Sequence, residues 1–348
     1  MDTESAAAAA DEAPPELERD ERIRVVLHGK AAAEDSIRDA VLRLRGEGYT
    51  VEVRVTWEAG DTIRMAQEAA RDGVGAVVAG GGDGTLSEVV DGLLLEEKGR
   101  PRRRVGVMPY GTANDFAAAC GIPRGDPLAA LRIVAERRPR WIDIGRMGDR
   151  AFVNLATAGF GAEITHETSE ELKGLLGGAA YLLTGLTRFG GITAHRARLT
   201  APDFQWEGPL YGLAVGNGRL AGGGFAVCPG ALLDDGLLDV ALLPELPLGE
   251  LLPVLTGFMG DDPGAAPAEG LIRLRVPWLE VTAPEGLHVN LDGEPLLGTA
   301  FRFEVMHRVL PFCLPDGAPV VRDRRAKPKG VLIRDLVRAK LGRGVDAG

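Results

Sequence analysis

The sequence predicts an α/β protein in which a three-layer domain built on a parallel sheet is followed by a mostly antiparallel β-sandwich domain. Residues 23–135 alternate between short apolar strands and amphipathic helices, which is the pattern of a parallel sheet covered on both faces. Residues 150–314 are mainly short strand-like runs divided by Gly and Pro, which is typical of antiparallel sheets. A length of 348 residues is also enough for two domains.

The elements of the first half follow from hydrophobic periodicity and from the turn residues between them. Buried, mostly β-branched runs predict strands at residues 23–27, 50–55, 76–79, 104–108 and 141–144. Apolar residues at helical spacing predict helices at residues 32–47, 61–72, 86–95, 113–120 and 127–135. In such a fold the carboxyl ends of the strands meet at one edge of the sheet, where open α/β sheets bind ligands.

The second half has fewer helices and more strands. Strands are predicted at residues 194–200, 210–215, 237–243, 271–275, 278–282, 287–291 and 300–305. Helices are predicted at residues 167–176, 179–189 and 248–258. A cleft between two such lobes is where we expect the site.

Composition shifts divide the chain into five expected segments. They are an acidic, disordered tail (1–22), an α/β ATP-binding domain (23–146), a β-sandwich lipid- and metal-binding domain (147–310), a segment that returns to the first domain (311–322) and a basic tail (323–348). The basic tail is either a solvated segment or a weak contact for anionic lipid headgroups.

Charge and residue usage exclude several classes of protein. A net charge of −10 and an aromatic content of 5% argue against a nucleic-acid partner. Cys120, Cys228 and Cys313 lack metal or disulfide spacing, which favours a reduced, cytoplasmic chain. Neither a signal peptide nor an apolar run of membrane-spanning length is evident. If the protein acts on membranes, we expect it to reach the inner face from the cytosol.

The most informative segment, AGGGDGTLSE at residues 79–88, lies between a predicted strand and a predicted helix. The glycines allow close approach of a ligand to the backbone, and the N–H groups that begin the helix make an anion cradle. Thr85 stands where GxGxxG needs its last glycine, and no Lys follows as in GxxxxGK[ST]. A glycine-rich turn that only caps the helix is the alternative.

Asp83 lies inside this cradle and constrains the ligand. A carboxylate beside a phosphate is repulsive unless a cation or backbone donors neutralise it. The combination therefore favours a nucleotide that arrives with Mg²⁺.

With this loop the sequence resembles the diacylglycerol kinase catalytic domain family, while NAD kinases and phosphofructokinases carry a related GGDG loop. Five further segments narrow the resemblance to the bacterial YegS-type lipid kinases, and they occur in the family's order. They are VTWEAGD (55–61), PYGTANDFA (109–117), GNGRLAGGG (216–224), LLDDGLL (232–238) and NLDGEPL (290–296). The resemblance covers about residues 23–321.

The resemblance implies a set of ATP contacts: Thr56, Gly82, Asp83, Gly84, Thr85, Leu86, Ser87, Glu88 and Thr112. Thr56 and Thr112 would supply hydroxyl groups from loops after strands, although a helix cap is the alternative for Thr112. Ser87 and His28 stand where the family more often has Asn, and both can still donate a hydrogen bond. Lys30 is a further expected phosphate contact.

Three residues match the family's Mg²⁺ site, namely Leu232, Asp235 and Leu237, with Ca²⁺ as an alternative ion. Two backbone carbonyls around one carboxylate suit a hard cation. From the residues alone, Asp-Asp-Gly also fits an ordinary turn. Whether this cation is structural or accompanies ATP stays open.

Glu294 matches the family's proton acceptor, although by itself it could be a solvated residue beside the Asp292–Gly293 turn. The expected activity is ATP- and Mg²⁺-dependent transfer of the γ-phosphate to a hydroxyl of a membrane lipid, of the diacylglycerol or phosphatidylglycerol type, in phospholipid metabolism. The alternatives are an NAD kinase-like enzyme and a catalytically silent, nucleotide-responsive lipid-binding protein. A homodimer is compatible with the sequence.

Overall fold

A computed structural model describes residues 21–98, 101–159, 193–247, 249–251 and 270–322, together with positions 14 and 254. The predicted helices at 167–176 and 179–189, most of the one at 248–258, and nearly all of both predicted tails lie outside these residues. Within the described part of the chain, no helix is both long and apolar enough to cross a bilayer.

The first lobe is a parallel sheet with helices on both faces. Its strands are β1 (Arg22–Leu27), β2 (Thr50–Val55), β3 (Ala76–Gly81) and β4 (Arg104–Pro109), in the spatial order β4–β3–β1–β2. Its helices are α1 (Asp35–Gly46), α2 (Asp61–Arg71), α3 (Asp83–Glu96), α4 (Asp115–Cys120) and α5 (Pro127–Glu136). Because β1 connects to β2 in one direction and β2 to β3 in the other, right-handed crossovers place α1 and α2 on opposite faces.

The second lobe is antiparallel. Its strands are β5 (Arg140–Met147), β6 (Arg150–Phe152), β7 (Leu155–Gly159), β8 (His195–Ala201), β9 (Phe204–Gly216), β10 (Leu220–Ala221), β11 (Phe225–Ala226), β12 (Leu238–Pro244), β13 (Ile272–Val276), β14 (Trp278–Leu291) and β15 (Glu294–Phe312). The main path runs β13–β12–β9–β7–β14–β15, with β8 beside β9 and β14, and β5 beside β15. The predicted fold class is confirmed.

Strand β15 belongs to both lobes. It begins at Glu294 in a hairpin with β14, then pairs with β5, and ends with Phe312 parallel to Val105 of β4. The Phe312 ring meets the edge of Phe116, with centroids 5.3 Å apart, in the core of the first lobe. A continuous strand therefore connects the hairpin that carries Glu294 to the parallel sheet.

Two predicted boundaries were wrong in ways that matter for the site. Helix α3 begins at Asp83 rather than at Leu86, because Gly82 alone serves as the turn between β3 and α3. The strands predicted at 278–282 and 287–291 are one strand, β14. A register shift between Thr282 and Leu287 accommodates its intervening residues as a bulge.

Candidate active site

The glycine loop packs closely against the backbone of the loop that follows β4. A Cβ on Gly82 would lie 3.0 Å from Cα of Gly111, and a Cβ on Gly111 would come closer than 3.0 Å to the Gly82 backbone. The amide of Asn114 fixes the second loop, because it accepts from the Gly111 N–H at 2.8 Å and donates to the Gly111 carbonyl at 2.6 Å. The junction after β3 thus contacts the loop after β4 directly.

The Asp83 carboxylate is neutralised by backbone donors. It accepts the N–H groups of Asp115 and Phe116, each at 3.0 Å, at the start of helix α4. Sequence reasoning weighed a cation and backbone donors for this role; the two backbone N–H groups supply it here, and Mg²⁺ arriving with the nucleotide stays a prediction. Asp83 ties the glycine loop to the neighbouring loop, and its predicted contact with ATP stays a prediction.

Thr112 does not cap helix α4. Asn114 occupies the N-cap position, with a left-handed φ of 54°, a conformation that Asn tolerates better than most residues. The predicted helix start at 113 was therefore two residues early. Thr112 is exposed on the loop after β4, so its side chain lies at the carboxyl edge of the sheet.

Thr56 lies at the same edge, where the loops after β1 and β2 meet. The Thr56 hydroxyl accepts the Gly29 N–H at 3.1 Å, and Thr56 is buried. Asp61 fixes the following turn by accepting from the N–H groups of Trp57 and Glu58. These backbone hydrogen bonds, together with that from Arg64, lower the pKa of Asp61 to about 2, so the turn keeps its charged anchor at physiological pH.

His28 is engaged in local structure. Its Nδ1 accepts the Lys30 N–H at 3.2 Å and caps a 3-10 turn at Gly29–Ala31. Its own N–H donates to the Gly80 carbonyl at 2.8 Å. The histidine can thus replace Asn as a cap, because Nδ1 supplies the acceptor that an Asn oxygen would supply. A phosphate contact by Lys30 stays a prediction.

Two predicted ATP contacts have little to offer a ligand through their side chains. Leu86 is 1% exposed in the core of the first lobe, and its N–H bonds the Gly82 carbonyl at 3.1 Å. Thr85 is also buried, beneath Gly81. Gly84, by contrast, is exposed, and no atom lies within 4 Å of a Cβ built on it. The accessible part of the loop is therefore its Gly84 side.

A small, open cleft lies between helix α3 and the second lobe. It is lined by Gly84, Ser87, Glu88, Asp91, Arg150, Ala151, Leu291, Asp292 and Glu294. Gly84, Ser87 and Glu88 of the first lobe thus share one cleft with Glu294 of the second. Three predicted site residues of helix α3 and one that follows about 200 positions later thus line the same cleft.

The second-lobe wall of the cleft is organised by two acidic side chains. Asp292 accepts the N–H groups of Val153 at 2.6 Å, Asn154 at 3.1 Å and Leu155 at 2.9 Å, and Ser87 donates its hydroxyl to the same carboxylate. The Glu294 carboxylate forms an ion pair with Arg150 of β6. The Glu294 side chain is 57% exposed, so it remains accessible from the cleft.

Burial shifts the titration of two carboxyl groups in this cleft. Desolvation raises the pKa of Asp91 from 3.8 to about 6, even though the carboxylate accepts the Ala151 N–H at 3.2 Å. Desolvation also raises the pKa of Asp292, against the hydrogen bonds that stabilise its charge. The charge of Asp91 in this cleft therefore changes around pH 6.

The shift of Asp91 predicts a pH-dependent stability. The native carboxyl holds its proton more tightly than the unfolded chain does, so its ionisation costs stability as pH rises from about 4 to about 6. We expect Asp91→Asn, which keeps the acceptor for Ala151, to raise the free energy of unfolding by about 2 kcal/mol at pH 7.5 and by much less at pH 4. Urea unfolding at both pH values measures this, with Asp35→Asn on the surface of α1 as the control. An equal gain in the free energy of unfolding at both pH values would contradict the raised pKa of Asp91.

The predicted metal site lies away from this cleft and is closed by an arginine. One Asp235 oxygen accepts the Leu237 N–H at 3.0 Å, and Arg275 donates to the other. The Asp235 side chain is 1% exposed. Because a guanidinium already balances the carboxylate, Leu232, Asp235 and Leu237 do not fit a bound cation in this arrangement. Throughout the described residues, no group of three or more His, Cys, Asp or Glu side chains is arranged to hold a metal.

Sequence reasoning missed three residues of the cleft, Asp91, Arg150 and Asp292. Asp91 stands four residues after Ser87, so the two share one face of α3, which was a usable signal once Ser87 was placed in the site. Asp292 was seen only as part of a turn. Nothing in the sequence indicated that Arg150 would reach Glu294, because 143 residues separate them.

Comparisons with known proteins agree with the architecture of two lobes. The diacylglycerol kinase catalytic domain matches residues 22–147, and the YegS C-terminal NAD kinase beta sandwich-like domain matches residues 154–314. A "Probable lipid kinase YegS-like" of Pseudomonas aeruginosa PAO1 is 49% identical over 304 residues, which is 87% of this chain and 97% of that protein. Its counterpart in Pseudomonas savastanoi pv. phaseolicola is 46% identical over 86% of this chain and 95% of that protein.

The fold is also known from solved structures. A crystal structure of a diacylglycerol kinase from Bacillus anthracis str. Sterne superposes with a TM-score of 0.67 at 18% identity, covering 87% of this chain and all of that one. At this identity the likeness supports the fold alone. The two domain matches and the relatives near 50% identity carry the assignment: the chain belongs to the diacylglycerol kinase catalytic domain family and is a kinase of its YegS-like branch.

Proposed function

We propose that this kinase transfers the γ-phosphate of ATP to the hydroxyl of a membrane glycerolipid, of the diacylglycerol or phosphatidylglycerol type, from the cytosolic side. The observation that carries the proposal is the shared cleft, in which Gly84 and Glu88 of the glycine-loop helix face Glu294. A phosphate site and a carboxylate base across one cleft are the two parts that phosphoryl transfer to an alcohol requires.

The nucleotide side of the cleft is supported by backbone geometry. The first N–H groups of a helix have no partner within it, and those of α3 begin directly at the Gly82 turn. The helix dipole adds a partial positive charge at this end, which favours phosphate. Thr56 and Thr112, at the same edge of the sheet, are proposed to contact the rest of the nucleotide.

On the acceptor side of the cleft, we assign the proton transfer to Glu294. The lipid hydroxyl oxygen attacks the γ-phosphorus, the bond to the β-phosphate oxygen breaks, and ADP leaves with that oxygen. The hydroxyl proton passes to the Glu294 carboxylate. Arg150 pairs with the Oε2 atom of this carboxylate, and we assign the proton to Oε1.

The charge of the cleft supports a dependence on Mg²⁺. Glu88, Asp91, Asp292 and Glu294 face a single guanidinium, that of Arg150. A bare triphosphate is repelled by such a surface, whereas bound Mg²⁺ neutralises part of its charge. In this proposal the cation is held by phosphate oxygens with one or two cleft carboxylates, and the Leu232, Asp235 and Leu237 site takes no part in the transfer.

The activity is tested with γ-labelled ATP and Mg²⁺, offered together with either a total lipid extract or NAD. We expect label in the organic phase with the extract and none on NAD. Purified diacylglycerol and phosphatidylglycerol, presented separately in mixed micelles, then identify the acceptor. Label on NAD alone, or ATP binding without transfer to any lipid, would overturn the proposal.

The nucleotide site has its own test at Gly84. An Ala here meets no protein atom within 4 Å, so its methyl group projects into open space beside the helix start. We expect Gly84→Ala to weaken ATP binding by about tenfold or more, because the methyl group blocks close approach of phosphate, while the melting temperature does not fall, since Ala favours a helix more than Gly does. Calorimetric titration measures the affinity. Gly46→Ala, at another helical glycine without neighbours, is the control, and unchanged affinity in Gly84→Ala would exclude a phosphate at this position.

A further inference from the structure

Helix α3 is joined to the second lobe by a hydrogen bond between two side chains of the cleft. The Ser87 hydroxyl donates to Asp292, across 205 positions of sequence. One turn later, Asp91 on the same face of α3 accepts the Ala151 N–H at 3.2 Å. The helix that begins at the glycine loop is thus attached to the second lobe at two successive turns.

Asp292 is held rigidly enough to transmit this contact. Its carboxylate accepts three consecutive N–H groups, from residues 153–155, and its own N–H donates to the Leu155 carbonyl at 3.0 Å. Its φ of 47° and the φ of 106° at Gly293 are the left-handed pair that an Asp-Gly hairpin turn adopts. Asn290 closes the same turn by accepting the Gly293 N–H at 2.7 Å.

Glu294 follows this anchored turn by two residues and begins β15. The position of its backbone relative to α3 is therefore set by the chain from Ser87 to Asp292 to Glu294. Arg150, which precedes the residue bonded to Asp91, holds the Glu294 side chain from the other side.

We propose that Ser87 is a positioning residue, whose hydrogen bond attaches helix α3 to the firmly held Asp292 and thereby sets the distance between the glycine loop and Glu294. This inference rests on the proposed function, because it assigns Glu294 as the base. It also gives Ser87 a role other than the predicted nucleotide contact. Asn can make the same donation through its amide.

The test compares Ser87→Ala and Ser87→Asn. Without the Ser87 hydroxyl, helix α3 loses its hydrogen bond to Asp292. Asp292 itself keeps its three backbone donors, so the Asp292–Gly293 turn persists. We expect Ser87→Ala to lower kcat for lipid phosphorylation by about 10- to 100-fold, since a displacement near 1 Å has effects of this size, with the Kd for ATP changed less than about 3-fold. Ser87→Asn is expected to restore kcat to within about 3-fold of the original value.

Ser36→Ala is the matched control, because it removes a hydroxyl bonded to the Tyr110 hydroxyl at 2.8 Å outside the cleft. It is expected to leave kcat unchanged. A Ser87→Ala variant with weakened ATP binding and normal kcat would make Ser87 a nucleotide contact and overturn the proposal. So would an unchanged kcat, or a loss that Ser87→Asn does not restore. If Glu294→Gln itself retains full activity, the assignment of Glu294 as the base fails, whatever the result at Ser87, whereas transfer to NAD alone would overturn the proposed function.

Discussion

Replacing Glu294 with Gln is expected to lower kcat for lipid phosphorylation by about 10²- to 10⁴-fold, the range for loss of a general base. Gln keeps the size of the side chain and can still accept a hydrogen bond from Arg150, but it cannot take up the hydroxyl proton. Glu294 belongs to the second lobe, whereas the proposed nucleotide site lies on the first. We therefore expect the Kd for ATP to change less than about 3-fold. Steady-state kinetics and calorimetric titration give the two quantities.

The matched control is Glu304→Gln. Glu304 lies on the same strand, β15, and is likewise paired with an arginine, Arg146, but it is not part of the cleft. Its replacement is expected to leave kcat within about 2-fold, because Glu304 lies outside the cleft. The loss of a partly exposed ion pair should also change the stability of the fold little. Full activity in Glu294→Gln would remove this residue from the reaction and would direct the search for a base to Glu88, Asp91 and Asp292.

Gly111→Ala is expected to be the most damaging small substitution for the fold of the site. Its methyl group would meet the Gly82 backbone and the Asn114 side chain, and backbone atoms cannot move aside as the end of a flexible side chain can. We expect a loss of about 3 kcal/mol in the free energy of unfolding, at the upper end for overpacking. ATP binding should weaken as well, because the glycine loop is displaced.

Thermal unfolding and ATP titration measure these two effects. Gly84→Ala, with no neighbour in the protein, separates them: it should bind ATP poorly while melting normally, whereas Gly111→Ala should fail in both measurements. Normal melting of Gly111→Ala would mean that the two loops can separate without cost, and that their crossing does not shape the site.

The sequence was sufficient for the fold class because its signals are local. Alternating strands and helices in the first half, and the positions of β2 and β4, follow from hydrophobic runs bounded by turn residues. The GGGDGT loop and the NLDGEPL segment then identified both walls of the cleft through the family resemblance. Gly84, Ser87, Glu88 and Glu294 do share that cleft.

What the sequence could not provide depends on contacts between distant residues. The Asp83 carboxylate binds the backbone at the start of α4, a partner 32 residues away that its position in the sequence does not indicate. The arginine that faces Asp235 comes from β13, 40 residues on, and no spacing rule links the two. Asp292 resembles an ordinary turn residue until the N–H groups of residues 153–155 are seen around it.

The course of β15 has a consequence for how the protein is made. Val105 and Phe116 are covered by residues near position 312, so the first core is incomplete when synthesis has passed only residue 147. Until β15 has been made and has paired with β4, that strand presents an unpaired edge, which is a surface prone to aggregation. Pairings across about 200 positions also slow folding. A fragment cut after the α/β half is therefore a poor candidate for expression on its own, and nucleotide affinity is best measured on the whole chain.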